Sequence, residues 1–310
     1  MCMHSLLFYF RNSIIVTSFW GLLLIAFSCN HNLARGISVY PNHFKIETPF
    51  ISDSRGIIIN TYWGSDRQHY VLCLDNHSPS WIKSSVIQFN KFFIKSNEIN
   101  FKTSTADGTP VKGNVGICDS IYFENIVFRN IPFYIMPENS KDTKNDDGVF
   151  GIDAMEKGIW KIDFRKDELT FTSDPDSLDD IKQSEVFPAT FNAQAIKVKV
   201  RFGNNILKTL AIDLGYNGDI LMPYNDFKNI SSQKQIFTGE GKFSTPASQN
   251  IINNLSVYDT VRINHNWFFA GISSNEKVTE SVIGLTFFKR FGYVIFDFIN
   301  KRIYIPKKVW

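Results

Sequence analysis

Two stretches of the sequence repeat one another: residues 149–171, VFGIDAMEKGIWKIDFRKDELTF, and residues 282–305, VIGLTFFKRFGYVIFDFINKRIYI. One inserted residue aligns them, and Gly151 then matches Gly284. Each copy reads as a glycine turn, a short helix and a hairpin of two strands. Because a repeat of this kind marks a duplicated structural unit, the body of the chain is predicted to be two copies of one fold.

The similarity extends upstream of these stretches. An apolar strand ends at Asp75 in the first copy, and another ends at Asp213 in the second. From Asp75 to Gly151 is 76 residues, and from Asp213 to Gly284 is 71. The landmarks therefore keep their order and spacing over about 100 residues in each copy, which a chance match of one short motif does not explain.

A polar segment, residues 173–187, separates the two copies and is predicted to be a linker. It divides the body into an N-terminal lobe, residues 30–172, and a C-terminal lobe, residues 188–310. Residues 1–29 precede both lobes and have the shape of a signal peptide.

Composition excludes several classes of protein. Hydrophobic residues make up 44% of the 310 residues and charged residues 20%, which are values of soluble globular proteins rather than of disordered chains. The formal charge of +3 is small, and without a Lys/Arg run nucleic acid is not an expected partner. The 29 phenylalanines, interleaved with Ile, Val and polar residues, favour an all-β fold.

The first 29 residues indicate export. Their apolar run, residues 14–28, is shorter than the roughly 20 residues of a membrane-spanning helix, so cleavage is favoured over an uncleaved anchor. The run ends in Ser28-Cys29, which resembles the signal of bacterial lipoproteins, in which a cysteine becomes the lipidated N-terminus. That resemblance implies a membrane partner through a lipid on Cys29 and a place in the cell envelope, on the periplasmic side. An ordinary secretory signal, giving a secreted protein, is the alternative.

Cys73 and Cys118 lie in the body of the chain. They have no metal-ligand spacing and no His pair nearby, so no metal or other cofactor is expected. The sequence leaves open whether these two cysteines are bonded to each other or are buried thiols.

The residues around the two strand-terminal aspartates carry the resemblance to a known family. Residues 74–78 read Leu-Asp-Asn-His-Ser, and residues 212–215 read Ile-Asp-Leu-Gly. With the later apolar-apolar-Gly motifs, this arrangement resembles the bilobal aspartic proteases, the pepsin-like and retropepsin-like families, from about residue 40 to the end. The resemblance implies two homologous lobes with an interlobe cleft, and Asp75 and Asp213 as a catalytic dyad.

Two like carboxylates about 3 Å apart cannot both ionise, so one holds a proton while the other activates water. Because the family consists of proteases, the resemblance also implies a peptide or unfolded protein as the partner in the cleft. In the family, each aspartate is followed by Thr or Ser and then by Gly. Here Asn76 and His77 occupy those two positions of the first loop, with Ser78 after them; Leu214 replaces the hydroxyl residue of the second loop, and Gly215 is kept.

Two readings of His77 stay open: a ring filling space at a degenerate site, or an imidazole that exchanges a proton near neutral pH. Substrate-covering hairpins are expected as well. Asp107-Gly108 is a turn signal that predicts the tip of a flap, and residues 238–241 are its counterpart in the second copy. The repeated Asp163 and Asp297 are instead expected to serve turns or ion pairs.

Three functions compete at this point. The first is an envelope aspartic endopeptidase. The second is a catalytically inactive, protease-derived lipoprotein that binds a peptide or protein in the same cleft, which the replacements Asn76, His77 and Leu214 favour. The third is an unrelated β-rich scaffold in which the two aspartates never meet.

Overall fold

Apolar runs interrupted by Gly, Asn and Asp turns form most of the described chain into strands. The computed structural model describes residues 36–53, 56–88, 93–104, 110–136, 146–192, 195–203, 205–232, 234–245 and 248–307. From Ile37 onward these residues belong to a single compact unit.

The first lobe is a nine-stranded sheet. Its strands are β1 (Ser38–Tyr40), β3 (Ile51–Asp53), β4 (Gly56–Trp63), β5 (Gln68–Asp75), β6 (Trp81–Lys83), β7 (Phe93–Ser104), β8 (Pro110–Phe123), β9 (Ile126–Met136) and β10 (Gly148–Gly151). The order is β1-β9-β6-β10-β5-β4-β8-β7, with β3 on β4, and β9 also pairs with β8, so the sheet folds back on itself. Helices α1 (Ser84–Gln88) and α2 (Ile152–Met155) follow β6 and β10.

The second lobe repeats this arrangement with eight strands. They are β14 (Ala189–Phe191), β15 (Ile196–Phe202), β16 (Leu207–Asp213), β17 (Ile220–Pro223), β18 (Phe237–Thr245), β19 (Ser248–Ile263), β20 (Asn266–Asn275) and β21 (Val282–Gly284). Their order is β14-β15-β16-β21-β17-β20-β19-β18. Helices α3 (Tyr224–Ser231) and α4 (Leu285–Lys289) follow β17 and β21.

A six-stranded sheet joins the lobes. It contains β2 (Lys45–Pro49), β11 (Ile159–Asp163), β12 (Glu168–Thr172), β13 (Ser184–Phe187), β22 (Tyr293–Asp297) and β23 (Arg302–Pro306), in the order β13-β23-β22-β11-β12-β2. Strands β11 and β22 come from equivalent hairpins of the two copies and pair antiparallel with Lys161 opposite Ile295. In this register Ile159 lies opposite Asp297, and Asp163 lies opposite Tyr293. Each pair joins the first residue of one strand to the last residue of the other, so a local twofold axis relates the two strands.

Aromatic side chains fill both lobes. Trp160 and Phe171 are fully buried and stack with ring centroids 4.0 Å apart, and a second group around Phe287 and Phe288 fills the other lobe. Burying a side chain of this size stabilises a fold by roughly 2–3 kcal/mol. This explains the high phenylalanine content and confirms the prediction of an all-β, bilobal architecture.

One detail of the prediction needs correction. Residues 238–241 do not form a hairpin tip: they lie inside β18, and this hairpin pairs as far as Thr245 with Ser248. Backbone hydrogen bonds to β19 are enough to keep a glycine-containing segment extended. In the predicted linker 173–187, Leu178 is buried against Tyr293 and β13 joins the interlobe sheet, so this segment is packed despite its polar composition. The lobe boundaries themselves stay predictions.

Candidate active site

Equivalent strands place the two aspartates. Asp75 ends β5 and lies opposite Gly151 of the parallel strand β10, while Asp213 ends β16 opposite Gly284 of the parallel strand β21. The apolar-apolar-Gly motifs of the sequence therefore lie at the ends of β10 and β21, the strands that pair with the two strands ending in aspartate. Because both copies use the same register, they present their aspartates in the same way.

The two motif glycines are required by close contact with the loops after the aspartates. A Cβ atom on Gly151 would lie 2.4 Å from the carbonyl oxygen of Ser78, and one on Gly284 would lie 2.4 Å from that of Tyr216. The next residue in each motif donates its backbone N–H to that same oxygen, at 2.9 Å in the first copy and 2.8 Å in the second. The strand-terminal glycines thus fix the path of both loops.

The carboxylates of Asp75 and Asp213 meet at Gly215. A methyl group placed on Gly215 would lie 2.6 Å from Asp75 Oδ2 and 3.1 Å from Asp213 Oδ1. Residues separated by 138 positions in the chain therefore bring their carboxylates to one point, and the space between them and the second loop admits no side chain. This geometry excludes the scaffold in which the two aspartates never meet.

Asn76 ties the two loops together. Its side chain is fully buried, its Nδ2 donates to the carbonyl oxygen of Ile212 at 3.0 Å, and its Oδ1 accepts the backbone N–H of Leu214 at 2.9 Å. These two groups flank Asp213 on both sides. One amide, which carries a donor and an acceptor, therefore clamps the opposite loop, a fuller role than the sequence predicted for it.

Leu214 is fully buried as well. An aliphatic side chain has no hydrogen-bonding group, so it returns no bond to the first loop. The cross-loop clamp of this site is consequently one-sided.

Backbone N–H groups hold each carboxylate. His77 N–H donates to Asp75 Oδ1 at 2.8 Å, and the N–H groups of Gly215 and Tyr216 donate to Asp213 Oδ1 at 2.8 and 3.1 Å. Both aspartates are thereby oriented by the loop that follows them.

Burial, and after it the negative charge of Asp75, raises the pKa of Asp213 to about 7, although His77 and the N–H groups of Gly215 and Tyr216 act in the opposite direction. A carboxyl that keeps its proton to neutral pH beside an ionised partner is the state required for acid–base catalysis by a carboxylate pair.

His77 contacts the opposite lobe. Its Nε2 lies 3.2 Å from Glu280 Oε2, and its side chain is 19% exposed. Burial lowers the pKa of His77, but the hydrogen bond to Glu280 and the charges of Asp213 and Asp75 outweigh it and raise the pKa to about 9. The ring is therefore charged at neutral pH, which argues against the prediction that it exchanges a proton there.

Ser78 and Ser80 have different roles in the first loop. The exposed Ser78 hydroxyl donates to the Pro79 carbonyl oxygen at 3.0 Å. Ser80, which the sequence did not single out, donates its hydroxyl to Asp153 at 2.6 Å and accepts the Gly151 N–H at 3.0 Å. Burial raises the pKa of Asp153 to about 6, against the hydrogen bonds from Ser80. The roles of Ser80 and Asp153 could have been found in the sequence from the motif glycine Gly151, which lies two residues before Asp153.

Several predicted residues fall outside the part of the chain that the structure describes. These are Cys29 and the flap residues Asp107 and Gly108, although the flanking strands β7 and β8 do pair up to Ser104 and Pro110. Cys73 and Cys118 are described; both are buried, and they form no disulfide bond. Burial raises the pKa of Cys118 to about 12.

The repeated aspartates of the interlobe hairpins serve turns and ion pairs. Asp163 lies 3.3 Å from Arg165 and 3.5 Å from Lys161, and Asp297 accepts hydrogen bonds from the backbone and the side chain of Asn300. Both are buried in the six-stranded sheet, away from the convergence of Asp75 and Asp213.

Among the described residues, no group of three or more His, Cys, Asp or Glu side chains is arranged to hold a metal ion. In the same part of the chain, no helix combines the length and the apolar character needed to cross a membrane.

Solved structures share this architecture. Basic 7S globulin from soybean superposes with a TM-score of 0.55 at 11% sequence identity, covering 86% of this chain and 96% of that one. The aspartic proteinase from Irpex lacteus superposes with a TM-score of 0.54 at 15% identity, covering 85% and 97%. No protein-family model matches the sequence, and no curated protein matches it. At such identities the likeness shows the fold alone, and this chain has the bilobal aspartic-protease fold.

Proposed function

We propose that this protein is an aspartic-type endopeptidase of the cell envelope, with Asp75 and Asp213 as its catalytic dyad and without a metal or other cofactor. The observation that carries the proposal is the convergence of both carboxylates on Gly215 while Asn76 clamps the loop around Asp213. A pair of carboxylates held in this way supplies an acid and a base in one site.

The mechanism needs one proton on the pair. In this mechanism Asp213 is the protonated partner, because burial and the negative charge of Asp75 raise its pKa. Asp75 takes a proton from a water molecule as the water oxygen attacks the peptide carbonyl carbon, and Asp213 gives its proton to the carbonyl oxygen. The resulting tetrahedral species then breaks its C–N bond as the proton on Asp75 passes to the leaving nitrogen and one hydroxyl proton returns to Asp213, which gives a carboxylic acid and an amine and restores the dyad. The two aspartates titrate as a unit throughout.

The substrate is a peptide or an unfolded segment of protein in an extended conformation. Extended chains bind to proteins of this kind by backbone hydrogen bonds to strand edges, with side-chain pockets giving specificity. A cleft between two β lobes fits this mode of binding.

Hydrolysis of an unfolded protein by the purified chain tests the proposal. We expect Asp75→Asn and Asp213→Asn each to lower kcat/KM by at least about 10²-fold, since general acid–base catalysis contributes about 10²–10⁴-fold. Asp66→Asn, at an exposed position outside the site, is the matched control and should be neutral. Hydrolysis that survives both dyad substitutions would exclude this mechanism.

A second function has its own support. The Leu214 side chain returns no hydrogen bond to the first loop, and a histidine stands where the family has glycine, so the dyad has less support than in the family pattern. The structural neighbours share the fold alone with this chain, and a fold does not by itself fix activity. The alternative is a catalytically inactive lipoprotein that binds a peptide or protein in the cleft. Peptide binding without hydrolysis, unchanged in Asp213→Asn, would favour it.

The envelope location is proposed from the signal-like residues 1–29 and Cys29. A lipid on Cys29 would attach the protein to a membrane surface. Incorporation of labelled fatty acid into the wild-type chain, and its loss in Cys29→Ala, would support the lipoprotein; equal labelling of both chains would contradict it.

A further inference from the structure

His77 connects the two lobes beside the dyad. Its backbone N–H binds Asp75 Oδ1 at 2.8 Å, while its ring reaches out of the first lobe to Glu280 of the second, with Nε2 and Oε2 3.2 Å apart. Glu280 stands just before β21, the strand that lies beside Asp213. One residue therefore contacts an aspartate of one lobe through its backbone and an acid of the other lobe through its ring.

The surroundings of the ring are negative on several sides. Asp75 faces it from its own loop, Asp213 from the second loop, and Glu280 from the segment before β21. The hydrogen bond from His77 lowers the pKa of Glu280, and the charge of Lys197 of β15 acts in the same direction. With one proton on the dyad, the dyad and Glu280 together bear two negative charges, and a charged His77 compensates one of them at the place where both are close.

The hydrogen bonding of the ring also points to an electrostatic role. A buried structural histidine usually has partners for both ring nitrogens, whereas His77 Nδ1 is buried without a hydrogen-bond partner among the described residues. An unpaired buried N–H costs roughly 1–3 kcal/mol. Only the charged ring carries an N–H on both nitrogens, so this cost falls on the charged form, and the attraction of the two negative charges of the dyad and Glu280 offsets it.

We propose that His77, held in its charged form by Glu280, is a positioning residue that sets the pH range over which the Asp75–Asp213 pair carries a single proton. An opposite charge favours the ionised form of a carboxyl group. Without the imidazolium the pair would bind its proton more tightly, and the site would pass to the doubly ionised state at a higher pH. The consequence for hydrolysis rests on the proposed function, whereas the titration of the pair does not.

The experiment follows the carboxyl carbon of Asp213 by NMR in protein labelled with ¹³C at aspartate Cγ, as the pH is raised. Loss of its signal in Asp213→Asn gives the assignment. We expect the titration midpoint to rise by about one pH unit in His77→Gln, the lower end of the effect of a nearby charge. His77→Lys keeps a positive charge and should return the midpoint close to that of the wild type.

Glu280→Gln is a second variant that does not endanger folding, because the Glu280 side chain is 52% exposed. It removes the group that keeps the ring charged, so the midpoint should rise, by less than in His77→Gln. In the active protein, the alkaline limb of the pH profile of kcat/KM should move in the same order.

Unchanged midpoints in both His77→Gln and Glu280→Gln would overturn the inference, and equal rises in His77→Gln and His77→Lys would show a packing role instead. A wild-type chain that cleaves nothing but shows the expected shifts would remove the proposed peptidase and leave this inference standing. Cleavage by a dyad whose titration midpoint is unchanged in His77→Gln would support the proposed peptidase and overturn this inference.

Discussion

The two loops after the aspartates started from one repeated unit but now differ in what their side chains do. In the first loop, Asn76 and His77 both reach across to the second lobe, to Ile212, Leu214 and Glu280. In the second loop, the Leu214 side chain packs in the interior and its backbone N–H binds Asn76, while the exposed Asn217 side chain donates to the Asp53 carbonyl oxygen of the first lobe. Its Gly215 leaves room for two carboxylates, where the first loop carries an imidazole.

This difference shows that a duplicated site need not keep duplicated functions. Two hydrogen bonds across the junction are enough to fix the relative position of the loops, and a single amide has the donor and the acceptor to make both. Once Asn76 does so, the second loop is free to carry an apolar residue. The four predictions below test how unequal the two loops have become.

The largest effect is expected at Gly215. Gly215→Ala should lower kcat/KM by about 10²-fold, because the new methyl group would lie 2.6 Å from Asp75 Oδ2 and would displace the carboxylates. Hydrolysis kinetics measure the loss. Gly271→Ala is the control, since its Cβ would meet ordinary contacts of 3.4 Å or more. Full activity of Gly215→Ala would show that the second loop tolerates a side chain as the first does.

Removing the clamp comes next. Asn76→Ala would leave the buried Ile212 carbonyl and Leu214 N–H without this partner, and we expect the free energy of unfolding to fall by about 3 kcal/mol. Denaturant unfolding measures the change, with Asn42→Ala, at an exposed position outside the site, as the matched control. If both substitutions cost the same, the bonds of Asn76 would not be what holds the loops together.

The pH dependence of stability should reflect both loops. Folding raises the pKa of Asp213 from 3.8 to about 7, that of Asp153 from 3.8 to about 6 and that of His77 from 6.5 to about 9. A group with a raised pKa stabilises the fold below its unfolded pKa, and this contribution is lost as the pH rises through the folded pKa. The free energy of unfolding should therefore decrease from about pH 4 to pH 9.

Urea unfolding at several pH values measures this slope, and Asp213→Asn should flatten it between about pH 4 and pH 7 while Asp66→Asn should not. A stability that rises over the same interval would contradict the ionisation states assigned to the first and second loops.

The smallest effect is expected at Ser78. Its exposed hydroxyl binds the neighbouring Pro79 carbonyl oxygen, so Ser78→Ala should change kcat/KM by less than about twofold. Ser80→Ala, which removes hydrogen bonds to Asp153 and Gly151, is the contrasting variant and should reduce both stability and activity. Equal effects of the two would show that the sequence position after His77 matters more than the structure indicates.

Local sequence patterns predicted much of this molecule. The aspartates at strand ends, the glycine motifs and the repeated hairpins could be recognised because each is encoded by neighbouring residues with a fixed period or turn residue. The predicted position of the second flap tip was wrong because a glycine-containing segment can be strand or turn. Here pairing with β19 makes the segment a strand. The burial of Leu178 was not predicted because the four apolar residues of the linker, Leu178, Ile181, Val186 and Phe187, are irregularly spaced and give no periodic signal.

The sequence by itself determined that two copies of one β unit each end a strand in an aspartate. The tertiary structure alone decided that Asn76 holds a loop 136 residues away, that His77 pairs with an acid 203 residues away, and that Cys73 and Cys118 form no disulfide bond. The physical reason is that strands and turns follow from contacts between near neighbours, whereas the clamp and the ion pair exist only after the interlobe sheet has fixed one lobe against the other.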